Sequence, residues 1–184
     1  MNYNLAIIGG GPAGYDAAAT AAKKGLSVVL FEKSALGGTC LNVGCIPTKT
    51  LLYSSKLYYN AVNGSKYGIK VENPTFEYDK IVSRKNKIIR KLNAGIRSKM
   101  TNNNVTVITG TANVVKNENG IITILCGETE YTAEKLLVCT GSKVAIPPIP
   151  GVDTASYWTS TEALETKEVP ESLTIIGGGV IGIE

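Results

Sequence analysis

The sequence predicts an α/β fold with a parallel sheet, and three observations support this. A short apolar strand at Asn4–Ile8 runs directly into a glycine turn over residues 9–14. An alanine-rich helix over Ala13–Lys24 and a second apolar strand over Ser27–Phe31 follow, as in a βαβ unit. The same strand and glycine turn return near the end of the chain. This pattern is typical of Rossmann-like folds that bind dinucleotides.

Further elements follow from hydrophobic periodicity and turn residues. Apolar residues at near-helical spacing predict a long helix over Tyr78–Asn102, and another helix is expected over Lys49–Asn60. Asn117–Gly120 predicts a hairpin turn within a short β-meander. The strands expected in this part of the chain are Val105–Thr109, Thr111–Val115, Ile121–Leu125 and Leu136–Cys139.

An internal repeat sets the expected domain organisation. Leu5–Gly14 and Leu173–Gly182 agree at seven of ten positions, so a strand and glycine turn are expected to open a second domain. One strand and one turn cannot fold as a domain, and we interpret the sequence as a fragment of a longer protein. The expected divisions are an incomplete nucleotide-binding domain over 1–145, a crossing segment over 146–170 and the start of a second nucleotide-binding domain over 171–184.

Composition and charge exclude several classes of protein. The net charge of +4 is too small to predict nucleic-acid binding, and the apolar runs are too short to cross a membrane. The chain has no histidine, which excludes histidine acid–base catalysis within it and histidine-containing zinc sites, and no metal site is expected. The first strand begins so close to Met1 that no leader peptide fits, so we expect a reducing, cytoplasmic location.

The first glycine turn has the spacing of a phosphate-binding signature, with Gly9, Gly11 and Gly14 as its glycines. Residues without Cβ let the backbone approach a pyrophosphate, and the following helix N-terminus supplies N–H groups. Glu32 ends the second strand, eighteen residues after Gly14, where a carboxylate would accept a hydrogen bond from a ribose 2′-hydroxyl. The alternative is a glycine-rich turn with a solvated Glu32.

The second signature consists of Gly177, Gly179 and Gly182. It follows a predicted strand, but no helix or acidic residue is visible after it. As a repeat of the first signature, it predicts a second dinucleotide site. Two such sites on one chain indicate two cofactors that exchange electrons.

The run Gly37–Lys49 contains two cysteines, Cys40 and Cys45. Five residues at 100° each cannot place both on one helix face, and Pro47 resists a helix interior. We therefore expect the regular helix to begin near residue 46 or 47, with Cys45 at its N-terminus, where the dipole favours a thiolate. Glycines before Cys45 would let the chain fold back and bring Cys40 close. A disulfide closing so small a ring adds little stability, which suits a bond that opens and reforms.

Lys49 lies one helical turn after Cys45 on the same face, where a cation would favour negative charge on that thiol or on a reduced cofactor. Two alternatives remain for the cysteine pair. The cysteines could act as small buried hydrophobic residues, or they could bind a metal, although no further ligands cluster nearby in the sequence. Cys126 and Cys139 lie in predicted strands and are interpreted as buried free thiols.

The predicted helix Tyr78–Asn102 is strongly basic and has an apolar stripe. Such a helix can bind acidic partners or membranes, but a solvated outer face is the simpler interpretation. Its cations are Lys80, Arg84, Lys85, Lys87, Arg90, Lys91, Arg97 and Lys99.

The first glycine turn, Glu32 and the Gly37–Lys49 run together resemble the pyridine nucleotide–disulfide oxidoreductases that bind FAD. The resemblance covers the whole chain and implies an FAD/NAD(P)-binding Rossmann-like fold with a short β-meander insertion. Leu41 and the end of the run, Ile46–Lys49, look most like the members that act on lipoamide. The implied function is FAD-dependent oxidation of protein-bound dihydrolipoamide, with reduction of NAD⁺.

The resemblance also implies roles for individual residues. Cys40 would exchange with the substrate dithiol, Cys45 would face the flavin, and Lys49 and Glu184 would form a pair beside the flavin ring. Positions implied around FAD are Gly9, Gly11, Pro12, Ala13, Gly14, Glu32, Lys33, Gly38, Thr39, Cys40, Lys49, Ala112, Thr140, Gly141 and Ser142. Positions implied at the NAD loop are Gly177, Gly178, Gly179, Val180, Ile181, Gly182 and Glu184.

The resemblance implies partners as well. These are the lipoyl domain of a 2-oxoacid dehydrogenase or glycine cleavage complex and a second copy in a homodimer, with no nucleic acid and no membrane. The family's His–Glu base comes from the partner subunit and has no counterpart here, so normal turnover by this chain alone is not expected. Two alternatives are another disulfide or mercuric reductase of the same architecture, and a non-catalytic FAD-binding module of a 2-oxoacid dehydrogenase complex.

Overall fold

A computed structural model describes residues 2–184 and confirms the predicted α/β class. The helices are α1 (Pro12–Lys23), α2 (Gly38–Val43), α3 (Cys45–Val62), α4 (Tyr78–Asn102), α5 (Ser160–Glu165) and α6 (Val180–Ile183), with a 3₁₀ turn at Gly64–Tyr67. The strands are β1 (Asn2–Ile8), β2 (Val28–Glu32), β3 (Thr106–Thr109), β4 (Ala112–Glu118), β5 (Ile121–Cys126) and β6 (Thr129–Val138).

The chain divides into two compact units. The first comprises the residues up to Asn42 together with Arg90–Ser142, and the second comprises Val43–Ile89 together with Lys143–Glu184. The first unit contains the sheet and α1. The second contains α3, the first half of α4, α5 and α6.

The sheet of the first unit has the strand order β3-β2-β1-β6-β5-β4. The pairs β3–β2, β2–β1 and β1–β6 are parallel, so their carboxyl ends meet at one edge. At that edge Ile8 is in register with Phe31 on one side and Val138 on the other. Ligands of open α/β sheets bind at such an edge, so the topology marks where a nucleotide site belongs.

The core forms on both faces of the central strands. Val28, Val29, Leu30 and Phe31 are all at most 1% exposed, as expected for a parallel strand covered on both sides. Phe31 meets Tyr131 edge to face, with ring centroids 5.1 Å apart, which ties β2 to the start of β6. Helix α1 contributes two buried alanines, whose small side chains allow close packing on the sheet.

The predicted β-meander is present, but its last strand is longer than predicted. The predicted strand Leu136–Cys139 is only the end of β6, whose first half pairs antiparallel with β5 and whose second half pairs parallel with β1. The meander therefore continues the main sheet. The β4–β5 hairpin turns at Asn119 (φ 51°) and Gly120 (φ 80°), the left-handed conformation that Asn-Gly favours in two-residue hairpin loops.

Helix α4 has the predicted bounds, but one of its cations was wrongly expected in solvent. Lys85 is only 4% exposed, and its Nζ donates a hydrogen bond of 2.5 Å to the carbonyl oxygen of Leu164 near the end of α5. The hydroxyl of Tyr78 donates a 3.4 Å bond to the carbonyl of Thr166. Burial lowers the pKa of Lys85, although the nearby Glu165 opposes this, and burial raises the pKa of Tyr78. These side chains satisfy carbonyls that the end of a helix leaves unpaired.

The strand predicted before the second glycine turn is a second correction. Within the described part of the chain, residues 173–176 form no strand, although their sequence repeats that of β1. A strand exists only when a neighbour completes its hydrogen bonds, and this segment has no such neighbour in the sheet. Ile176 is accordingly 75% exposed. No helix within residues 2–184 combines the length and apolarity needed to cross a membrane.

Candidate functional site

The candidate nucleotide site lies at the carboxyl edge of the parallel strands. The chain leaves β1 at Gly9, leaves β2 at Lys33 and leaves β6 at Cys139. The amide of Gly9 donates to the carbonyl of Phe31 at 2.8 Å, and the amide of Cys139 donates to the carbonyl of Ile8 at 2.8 Å. These bonds extend the sheet by one residue and bring the first glycine turn between the ends of β2 and β6.

The first glycine turn depends on the absence of side chains. Gly9 has φ of 109°, and a Cβ there would overlap the carbonyl of Cys139. A Cβ on Gly14 would overlap the carbonyl oxygen of Gly9, so α1 packs against the turn that precedes it. Gly11 precedes the first helical residue, Pro12, and no side chain caps the helix N-terminus. The N–H groups that a helix N-terminus leaves without intrahelical partners are the donors that a pyrophosphate needs.

Glu32 is held in the turn by backbone amides. Its Oε2 accepts a 2.7 Å hydrogen bond from the amide of Gly10, and its Oε1 accepts bonds from the amide (2.9 Å) and hydroxyl (3.2 Å) of Ser34. The carboxylate is half-buried and oriented. A carboxylate has about four lone-pair positions, so it keeps acceptor capacity for a ribose hydroxyl.

The start of the cysteine-containing run packs on the same turn. The amide of Gly37 donates to the carbonyl of Gly10 at 2.8 Å. A Cβ on Gly38 would lie 2.7 Å from the Cα of Gly11, so the two backbones touch without intervening side chains. Because Cys40 follows Gly38 by two residues, the first unit brings this cysteine's segment against the first glycine turn.

The two cysteines occupy different local structures. Cys40 is half-buried in α2, a six-residue helix that was not predicted. Cys45 is exposed and is the first residue of α3, as the sequence predicted within one or two positions. Pro47 is accommodated because first-turn amides have no intrahelical partner. The carbonyl of Gly44 starts α3 by accepting bonds from the amide and hydroxyl of Thr48, at 3.1 and 2.7 Å.

Lys49 and Glu184 form an ion pair within the second unit. Lys49 lies one turn after Cys45 on α3, and its side chain is 64% exposed, whereas that of Glu184 is 30% exposed. The structure thus brings together two of the predicted site residues that lie far apart in the sequence.

The second glycine turn has the backbone conformation of the first. Gly177 has φ of 110°, against 109° at Gly9. Gly179 has φ and ψ of −76° and 178°, against −73° and −175° at Gly11. A Cβ on Gly182 would overlap the carbonyl of Gly177, the same relation as between the first turn's own glycines. The turn therefore keeps its conformation without a strand before it.

The remaining predicted positions are distributed along the same edge or around the second turn. Ala112 begins β4, and Thr140 directly follows Cys139, near Gly9. Lys33, Thr39, Gly141 and Ser142 are exposed. Cys126 is buried, as expected, but Cys139 is only half-buried. No group of three or more His, Cys, Asp or Glu residues among 2–184 is placed to hold a metal ion.

Two asparagines were missed by the sequence analysis. The side chain of Asn42 in α2 accepts a 2.7 Å hydrogen bond from Asn93 in α4, within the first unit. The position of Asn42 inside the Gly37–Lys49 run was a signal for it. Nothing in the sequence marked Asn93, whose partner lies on another element.

Comparison with known proteins shows which proteins the chain resembles. The chain matches the pyridine nucleotide-disulphide oxidoreductase family over residues 3–184. It is 41% identical to the dihydrolipoyl dehydrogenase of Acholeplasma laidlawii, covering 99% of this chain and 54% of the relative. It is 40% identical to a dihydrolipoyl dehydrogenase of Bacillus subtilis, covering 98% of this chain and 40% of the relative. The chain thus spans about half or less of these relatives' length.

Among solved structures, the flavoprotein disulfide reductase RclA of Escherichia coli superposes with a TM-score of 0.80 at 35% identity. The match covers 98% of this chain and 38% of that protein. The family match spans nearly every residue, including both glycine turns and both cysteines of the Gly37–Lys49 run. On these grounds, the chain belongs to the pyridine nucleotide-disulphide oxidoreductase family.

Proposed function

We propose that this chain is part of a dihydrolipoamide dehydrogenase, which oxidises protein-bound dihydrolipoamide to lipoamide and reduces NAD⁺. The observation that carries the proposal is the packing of Gly38 on Gly11, because it seats the segment bearing Cys40 on a dinucleotide-binding turn. The relatives named dihydrolipoyl dehydrogenase add support at about 40% identity. The proposed domains are residues 1–145 for FAD, 146–170 as a crossing segment and 171–184 as the start of an NAD domain.

The residues at the carboxyl edge fit FAD. The uncapped N-terminus of α1 and the side-chain-free surface of Gly9, Gly11 and Gly14 would receive the pyrophosphate. Glu32, oriented by the amides of Gly10 and Ser34, would accept from the ribose. When bound, FAD supplies the two-electron acceptor that reoxidises the cysteine pair, and NAD⁺ is the final acceptor.

The chain's own residues would carry the thiol chemistry. In the proposed step, a substrate thiolate attacks Sγ of Cys40 in a Cys40–Cys45 disulfide, and the bond to Cys45 breaks. The second substrate thiolate then displaces Cys40, which releases lipoamide as a disulfide and leaves both cysteines reduced. Two electrons thus move from the substrate to the pair. The N-terminus of α3 and the ammonium of Lys49, one helical turn after Cys45, would favour negative charge at Cys45.

The proposed partners follow the same assignment. They are the lipoyl domain of a 2-oxoacid dehydrogenase or glycine cleavage complex and a second copy of the full-length protein. The proposed location is the cytoplasm, where thiols are kept reduced and a close cysteine pair is more often catalytic than structural.

Visible absorbance tests the proposal. We expect the purified chain, incubated with FAD, to show a flavin spectrum, and anaerobic dihydrolipoamide to add a long-wavelength thiolate-to-flavin band. Cys45→Ser should abolish that band, whereas Cys126→Ala, which alters a cysteine in β5, should leave it unchanged. A flavin-loaded protein that gives the same band without Cys45 would contradict the assigned roles.

A second candidate is another disulfide reductase, which the structural match to RclA favours. Side-by-side assays of the full-length protein with dihydrolipoamide and oxidised glutathione separate the two. Faster turnover of glutathione disulfide with a reduced nicotinamide cofactor would favour the second candidate.

A further inference from the structure

Asn42 is the centre of a hydrogen-bond network in the first unit. Its Nδ2 donates to the carbonyl oxygens of Leu36 at 3.1 Å and Gly38 at 2.9 Å. Its Oδ1 accepts from Nδ2 of Asn93 at 2.7 Å. The side chain therefore uses both N–H groups and its oxygen, and it joins α4 to the loop before α2.

The network supports a helix that is weak by itself. Helix α2 has six residues, far fewer than an isolated helix needs for stability. Its opening backbone hydrogen bond, from the amide of Leu41 to the carbonyl of Gly37, is long at 3.4 Å. The bond from Asn42 to Gly38 spans the segment that contains Cys40, so a side chain adds a constraint to this short helix.

The pairing is not optimal for stability. Oδ1 of Asn93 is buried and has no hydrogen-bond partner among the described residues. A buried acceptor without a partner destabilises a fold, so an apolar residue at position 93 would remove one unfavourable term. Such an apolar residue could not donate the hydrogen bond that Oδ1 of Asn42 accepts from Asn93.

We propose that Asn42 and Asn93 are positioning residues for Cys40. Asn93 orients the amide of Asn42, and that amide holds the carbonyls of Leu36 and Gly38, which fixes α2 against the glycine turn at Gly11. The inference rests on the proposed function, in which the substrate attacks Cys40. It deepens that function by naming the residues that position the Cys40 thiol. The positioning itself needs neither flavin nor substrate.

Cysteine-specific alkylation tests the inference on the chain. The reduced protein is treated with iodoacetamide under anaerobic conditions, and the rates at Cys40 and Cys126 are followed separately by mass spectrometry. Cys126 is 8% exposed in the sheet core and reports global opening. In Asn93→Leu we expect Cys40 to react at least about fivefold faster, with Cys126 unchanged, because protection follows local opening. The exposed Asn86→Leu on the same helix should match the unmodified protein.

The double variant distinguishes positioning from simple loss of structure. If Asn93 acts through Asn42, adding Asn93→Leu to Asn42→Leu should give no further increase at Cys40. Additive rates would overturn the proposal, as would an unchanged Cys40 rate in Asn93→Leu. A parallel rise at Cys126 would also overturn it, since that shows general destabilisation. None of these outcomes depends on redox activity. The absorbance experiment tests the proposed function independently, so the two proposals can fail separately.

Discussion

The ammonium group of Lys49 and the carboxylate of Glu184 form an ion pair that joins α3 to the residue after α6. An ion pair this exposed contributes little to the free energy of unfolding, about 1 kcal/mol or less. Its consequence is electrostatic. It fixes a cation one helical turn from Cys45 and ties it to the end of the second glycine turn.

Lys49→Met should therefore separate chemistry from stability. We expect the free energy of unfolding to change by less than about 1 kcal/mol. Reduction of bound flavin by dihydrolipoamide should slow by about tenfold or more, because a charge that stabilises developing thiolate is lost. Urea denaturation and stopped-flow absorbance measure the two effects. Lys56→Met, at an exposed position on the same helix, is the matched control. Equal rates in both variants would argue against a role for Lys49.

Gly14→Ala should be strongly destabilising, because Gly14 is buried and the new Cβ would overlap the carbonyl of Gly9. We expect a loss of about 3 kcal/mol and weaker flavin binding. Gly95→Ala is the matched control in α4, where a Cβ meets no atom within 4 Å. That variant should gain about 0.5–1 kcal/mol from helix propensity. Denaturant titrations measure the unfolding free energy of both variants. A Gly14→Ala variant as stable as Gly95→Ala would refute the packing argument.

Gly182→Ala makes the same overlap in the second turn but should have a different consequence. Residues around it are exposed, with Val180 at 81% and Ile181 at 76%, so little packing depends on the turn. We expect the unfolding free energy to change by less than about 1 kcal/mol. Binding of NADH to the full-length protein should weaken at least about tenfold, because the turn can no longer close on a pyrophosphate. Gly95→Ala, which lies outside the positions implied for NAD and where a Cβ meets no atom within 4 Å, is the control for titration by fluorescence.

Lys85 predicts a pH dependence of stability. Its folded-state pKa lies below the ordinary value of 10.5 because its ammonium is buried, although Glu165 opposes this. Between the two values the unfolded chain binds more protons than the folded one, so stability rises with pH. Lys85→Met should abolish that rise, and urea denaturation from pH 8 upward to about pH 10 measures it. Tyr78 acts oppositely above its ordinary value of 10.0, since burial raises its pKa. If the unfolding free energy of Lys85→Met rose with pH as steeply as that of the unmodified protein, burial of the Lys85 charge would be contradicted.

Features that depend on local backbone chemistry were predictable from the sequence. The glycine turn after β1, the Asn119–Gly120 hairpin and the bounds of α4 follow from sterics and periodicity within a few residues. The position of Cys45 at the start of α3 followed from proline and glycine nearby. The ion pair of Lys49 and Glu184 was anticipated only through family resemblance.

The remaining features depend on partners that are distant in sequence, and only the tertiary structure decided them. The apolar segment 173–176 repeats β1 but forms no strand within the described chain, because a strand requires a hydrogen-bonded neighbour. Lys85 was expected in solvent and is buried, because the end of α5 offers it a carbonyl. The role of Asn93 likewise depends on a partner distant in sequence, since its side chain donates a hydrogen bond to Asn42. Sequence by itself determined the glycine turns and the long helices α1, α3 and α4 through local sterics and periodicity. The short helices, burial and polar pairing were decided by which elements the fold brings together.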